Sequence, residues 1–131
     1  PGLIYRMHNA KQSNDESFEV WGTGNPLREF LYVEDLASSV EFLLDKNLEI
    51  DLLNVGSGYE ISIKELANMI KDIVGFKGDV LFDKTKPDGN PRKLLDSGKI
   101  NSLGWTPTVT LEEGLSKTYN WFVSNYSSIR I

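Results

Sequence analysis

No cysteine occurs in the 131 residues, which excludes disulfides, thiolate nucleophiles and thiolate-bound zinc. The single histidine, His8, has no acidic companion nearby, so no metal site is expected and the residue reads as a surface or packing histidine. No apolar run approaches the roughly 18 to 20 residues needed to cross a bilayer, and the first residues lack the basic-then-apolar layout of a secretory signal. A soluble, cytoplasmic domain is the expectation. A net basic footprint is missing too: the formal charge is -5, which argues against nucleic acid and anionic membrane as partners. There is no G-x-x-x-x-G-K-[ST] phosphate loop, and no Tyr is followed four residues later by Lys. Gly56-Ser57-Gly58 invites comparison with a dinucleotide fingerprint, but position 61, where a third glycine is required, is Ile. The chain shows no catalytic engine, so catalytic, cofactor-binding and metal residues are all expected to be none.

With 40% hydrophobic and 25% charged residues, the composition fits one small α/β domain over 1–131. Pro1 runs at once into the apolar-basic stretch Leu3–Met7, and 11–17 is wholly polar and reads as a loop. Alternation predicts a strand over 18–21, stopped by Gly22-Thr23-Gly24-Asn25-Pro26, and a second over 30–33. A helix over about 34–46 follows, with Leu36, Val40, Leu43 and Leu44 on one face and acidic residues in its first turn. Leu52–Val55 reads as a strand. Ser62-Ile63-Lys64-Glu65 is a capping box opening a helix that Gly75 closes, with Leu66, Met69, Ile70 and Ile73 inward. Val80–Phe82 is a short strand, and Lys84–Lys93 is too rich in proline, glycine and charge to be regular. Asp96 caps a short helix ended by Gly104. Thr110–Glu113 is a second capping box, before a last helix with Leu111, Leu115, Tyr119 and Phe122 on one face.

Charge is unevenly spread: residues 1–65 hold 5 basic and 12 acidic side chains, residues 66–131 hold 9 and 7. Lys84, Lys86, Arg92, Lys93 and Lys99 face only Asp88 and Asp96 within 84–99, a local excess that suits a small anion as well as a solvated loop. Arg28 stands between a Gly-Asn-Pro turn and an apolar run, where a guanidinium can grip phosphate with two donors or serve as a surface ion-pair residue. Trp21, at a strand end, can pack on a sugar face or in the core. Asp88 in a Pro-Asp-Gly turn can bind a ligand or simply build the turn. Arg6 and Lys93 have a surface reading of the same kind.

The order of three motifs ties these residues together. Arg28-Glu-Phe-Leu-Tyr-Val-Glu-Asp35, then Asn54-Val-Gly-Ser-Gly58, then Leu103-Gly-Trp-Thr-Pro107 with Leu111-Glu-Glu-Gly-Leu115 resemble the C-terminal half of an extended short-chain dehydrogenase/reductase acting on sugar nucleotides. Within that superfamily, Val20-Trp-Gly-Thr-Gly24, the loop from Lys86 to Asp96 and Thr118–Phe122 are similar to the GDP-L-fucose synthase family. The resemblance covers nearly the whole chain. It implies the small C-terminal substrate-binding α/β domain of an NADPH-dependent enzyme that epimerises and reduces GDP-4-dehydro-6-deoxy-D-mannose to GDP-L-fucose. By motif it assigns Arg6, Trp21, Arg28, Asp88 and Lys93 to GDP-sugar binding.

The same resemblance implies that the N-terminal Rossmann domain, with the catalytic Ser, Tyr and Lys and the NADP(H) site, is absent from this chain. The chain is then expected to be a fragment, inactive alone and without bound cofactor, of a parent that is a homodimer. The alternatives are the C-terminal part of another nucleotide-sugar epimerase or dehydratase, disfavoured by the KPDGNPRK loop, and a non-catalytic nucleotide-sugar binding or oligomerisation module.

Overall fold

The computed structural model describes residues 2–44, 46 and 52–129. Ile4, Met7, His8 and Ala10 recur at helical spacing and are all buried, and Gly2–Ser13 forms the first helix, α1. The helix therefore takes in Leu3–Met7 and invades the stretch 11–17 expected to be a loop. Lys11 stays in it because its Nζ reaches the Val74 carbonyl at 2.8 Å. Asn14, at φ 56°, ends it: the Asp15 N–H returns to the Ala10 carbonyl and the Asn14 N–H to that of Lys11, a left-handed cap that short polar side chains tolerate.

Strand β1, Ser17–Trp21, pairs in parallel with β4, Asp79–Asp83, and its alternation buries Phe18 and Val20. Strand β2, Leu27–Glu29, lies antiparallel to β3, Glu60–Ser62, and parallel to the two-residue β5, Arg92–Lys93. Three strand expectations are corrected here. The strand near Arg28 covers 27–29, not 30–33, because the ladder partners lie beside 27–29, while the Tyr32 carbonyl already accepts from Leu36 N–H in the following helix. Leu52–Val55 forms no strand, and no ladder partner for it exists among the described residues. Conversely, the loop expected to be irregular supplies β5, and β3 sits just ahead of the Ser62 cap.

The helix α2 is Val33–Leu44, so the expected end at 46 is shortened; Asp45 lies outside the described residues. Its apolar stripe exists but faces outward: Leu36, Val40 and Leu44 are exposed, and the buried positions are the polar Asp35 and Ser39. Helix α3, Ile63–Val74, has the capping box expected of Ser62 and Glu65, and Gly75 ends it at φ 72°. Helix α4 is Gly98–Ser102; Ser97 takes the cap position, and Asp96 accepts from the Gly98 N–H at 2.9 Å. Helix α5, Leu111–Asn125, is capped by Thr110, whose hydroxyl accepts from Glu113 N–H. The Glu113 carboxylate pairs with Lys117 at 2.9 Å, so the reciprocal half of that capping box is not made. One apolar cluster joins α1, α3, α5 and β1 through Met7, Phe18, Leu66, Ile70, Tyr119 and Phe122.

Candidate functional site

Trp21 ends β1, Arg28 is the middle of β2, and Asp88 belongs to the 84–91 loop, yet all three line one small cavity of about 70 Å³ with Gly24, Pro26 and Gly89. Lys93 is the ladder partner of Arg28 in the parallel β2–β5 pair, so the two cationic side chains stand side by side on one face of the sheet. The Arg28 guanidinium is anchored by Nη1, which donates to the Leu27 carbonyl at 2.6 Å. A Cβ added at Gly89 would sit 3.1 Å from its Nη2, so the loop backbone lies directly against it. Trp21 is 65% exposed, which decides against core packing, and Lys86 Nζ lies 5.7 Å from its ring centre. An exposed indole beside an anchored guanidinium and neighbouring exposed ammonium groups suits a ligand with a flat or sugar face and a doubly anionic part.

Arg6 stands apart from this group. Its Nη2 donates to the Glu19 carbonyl at 2.7 Å, its guanidinium lies over the Phe18 ring, and it lines a separate open groove with Asn9, Ser13, Asp15 and Ser17.

Residues not singled out by the sequence brace the site and the elements around it. The Glu29 carboxylate accepts from the Gly58 N–H at 2.7 Å and the Leu95 N–H at 3.0 Å, tying the glycine turn and the chain just after β5 to β2. Asp35, 2% exposed, accepts from the N–H and hydroxyl of Thr108 and from the Val109 N–H, each at 3.0 Å. Burial by itself would raise its pKa, but those donors and the nearby Lys117 outweigh it and hold the carboxyl below its ordinary value. Thr23 donates twice to Asp88, from N–H at 2.8 Å and from hydroxyl at 2.7 Å. Arg92 forms a forked pair with Glu60, both Oε atoms at 2.8 Å from Nε, which lowers the glutamate pKa and raises that of the arginine. The signal for Glu29 and Asp35 was their place in the Arg28–Asp35 motif, and for Thr23 its place between two glycines.

The glycine turn does not fit a dinucleotide pyrophosphate. The Gly58 N–H is already given to Glu29, and a Cβ at Gly56 would lie 2.4 Å from the same carboxylate, so a negative charge fills the space where a phosphate would sit. Among the described residues no group of three or more His, Cys, Asp or Glu side chains could hold a metal ion. His8 is a packing residue: it is buried beside Tyr119, Phe122 and Tyr126, with Nδ1 3.0 Å from the Tyr119 hydroxyl. Burial, and secondarily Lys11, lower its pKa.

Comparison with known proteins places this arrangement. Residues 1–56 match the NAD dependent epimerase/dehydratase family. The chain is 55% identical over 130 residues to a probable GDP-L-fucose synthase 1 of Oryza sativa subsp. japonica, covering 99% of this chain and 40% of that protein. It is 54% identical to a putative GDP-L-fucose synthase 2 of Arabidopsis thaliana, covering 95% of this chain and 38% of that one. Proteins named GDP-L-fucose synthase are what this chain is similar to at 50% identity and above, over nearly its whole length. The structure superimposes on a GDP-L-fucose synthetase of Naegleria fowleri bound to NADP with a TM-score of 0.92 and 31% identity, covering 100% of this chain and 41% of that chain. The chain thus spans about two fifths of the length of the relatives it matches. The expected α/β fold is the observed one, and it is that of the matching two fifths of this synthetase.

Proposed function

We propose that this chain forms the GDP-sugar-binding wall of an NADPH-dependent enzyme that epimerises and reduces GDP-4-dehydro-6-deoxy-D-mannose to GDP-L-fucose. The observation that carries the reading is the convergence of Trp21, Arg28 and Asp88 on one cavity, with Lys93 beside Arg28. Arg28 and Lys93 neutralise the diphosphate, Trp21 shapes the hexose end, and Asp88 offers acceptors to ribose or base. Arg6, which lines a separate groove on α1, is assigned to the same ligand by its motif alone.

The hydride chemistry belongs to NADP(H) and to residues outside this chain, which contributes binding and orientation only. The exposed Leu36, Val40 and Leu44 are the surface on which the remaining three fifths of such an enzyme, its Rossmann domain, would pack. The homodimeric state of the whole enzyme and its cytoplasmic residence belong to the same reading. Among the described residues no helix is long and apolar enough to cross a membrane.

Calorimetric titration with GDP, UDP and dTDP tests the assignment. GDP is expected to bind most tightly; a preference for UDP or dTDP would reassign the chain to another nucleotide-sugar epimerase or dehydratase, and no binding by any of the three would remove the site.

A further inference from the structure

Loop 84–91 supplies one side of the cavity, yet it is exposed throughout and is held at few points. At its start, Asp83 accepts from the N–H and hydroxyl of Thr85, and the Lys86 N–H returns to the Asp83 carbonyl. At its end, the Pro91 carbonyl accepts from the Leu27 N–H. Between these ends, among the described residues, the hydrogen bonds that hold the loop to the body are the two from Thr23 to Asp88.

The geometry around Thr23 is built for that grip. Gly22 and Gly24 flank it at φ 87° and 79°, a backbone that turns its N–H and hydroxyl the same way. Gly22 leaves room for the carboxylate, since a Cβ there would lie 2.3 Å from Asp88 Oδ1. The Thr23 hydroxyl also accepts from the Asn25 N–H at 3.2 Å, which orients its proton toward Asp88. The loop so held carries Gly89 against the Arg28 guanidinium.

We propose that Thr23 is a positioning residue of the site: by donating to both carboxylate oxygens of Asp88 it fixes loop 84–91 against Trp21 and Arg28, and so sets the width of the anion-binding cleft. The proposal rests on the GDP-sugar reading above. Each Asp88 oxygen keeps a free lone pair, so a ligand donor can still be accepted while the grip holds.

The test is GDP titration of this chain, up to millimolar nucleotide, for the unaltered protein, T23V, T23S, D88N and T23V/D88N, together with hydrogen exchange at the residue-23 amide, which donates to Asp88, and at the Leu27 amide, which donates to the Pro91 carbonyl. T23V is expected to weaken GDP binding about tenfold and speed exchange at those two amides, as loss of one charge-assisted hydrogen bond implies. T23S, which keeps the hydroxyl, is expected to bind as the unaltered protein does. The double variant is expected to bind no more weakly than the worse single one, because both remove one linkage. T23A replaces T23V if the valine does not fold. T23V binding as tightly as the unaltered chain, or effects of T23V and D88N that multiply, would overturn the proposal while leaving the GDP-sugar reading in place. Failure of the unaltered chain to bind GDP would overturn both.

Discussion

Asp35 and Thr108, far apart in the chain, meet in a doubly donated hydrogen bond: the Thr108 N–H and hydroxyl both reach Asp35 Oδ1 at 3.0 Å, while the Val109 N–H takes Oδ2. Trp105 extends the seam, its indole N–H donating to the Ser38 hydroxyl at 3.1 Å. The end of the Arg28–Asp35 motif and the start of α2 therefore run beside the 105–109 segment.

Replacing Asp35 by Ala leaves two backbone donors and a hydroxyl without their acceptor and is expected to destabilise the fold by about 3 kcal/mol. The pH dependence follows from the depressed pKa of Asp35. A carboxyl whose folded pKa lies below its unfolded value stabilises above the unfolded pKa, about 3.9, and loses that stability as pH falls toward the folded value. Urea midpoints measured between pH 7 and pH 2 should fall steeply at the acid end for the unaltered chain and less so for D35N.

His8 is the chain's only histidine, so its ring resonances are unambiguous by NMR. Its midpoint is expected below the ordinary 6.5, because burial beside Tyr119 and Phe122 disfavours the cation. The unfolded state then takes up the proton first as pH drops, so stability decreases from about pH 6.5 downward, until the folded pKa is passed. A His8 midpoint at or above 6.5 would contradict the buried neutral ring. Tyr119→Phe should cost about 1 kcal/mol by removing the hydroxyl partner.

Arg28→Ala is expected to lose GDP affinity by roughly 1.5 to 3 kcal/mol, the value of a charge-assisted contact, while circular dichroism shows the fold intact. Unfolding instead of weaker binding would make Arg28 a structural residue. Lys93→Ala, on an exposed two-residue strand, should weaken binding less and reduce its salt dependence.

Glu29→Gln keeps one acceptor oxygen where two backbone donors now bind, and is expected to cost about 1.5 to 3 kcal/mol of stability, read as a lower urea midpoint. GDP affinity should fall with it, since Leu95, two residues beyond Lys93, loses its tie to β2. Gly56→Ala, whose new methyl would meet the same carboxylate at 2.4 Å, should destabilise by about 1 to 3 kcal/mol.

The outward stripe of α2 predicts self-association of the isolated chain. Sedimentation should show concentration-dependent association that Val40→Glu relieves without loss of helix content. A monomer at all concentrations would show the stripe to be harmless in water.

Local chemistry written in short stretches was legible in the sequence: the Ser62–Glu65 capping box and its Gly75 stop, the alternation of Phe18–Trp21, and the buried face of α5 all follow from spacing that neighbours alone impose. The candidate ligand residues were named from motif order, and three of them, Trp21, Arg28 and Asp88, share a cavity. Arg6, on α1, lies in another groove, a separation that sequence order could not reveal.

Tertiary structure decided the rest, because it decides which partner each segment finds. Leu52–Val55 has the composition of a strand but no ladder partner among the described residues, whereas Arg92–Lys93, in a loop full of proline and glycine, becomes strand by lying beside β2. The same rule turns α2 inside out, burying Asp35 because the Thr108 and Val109 donors await it, and leaving Leu36, Val40 and Leu44 to water. A residue's chemistry is fixed by the sequence, but its role depends on the groups that the fold brings to it, as the grips of Glu29 on Gly58 and of Thr23 on Asp88 show.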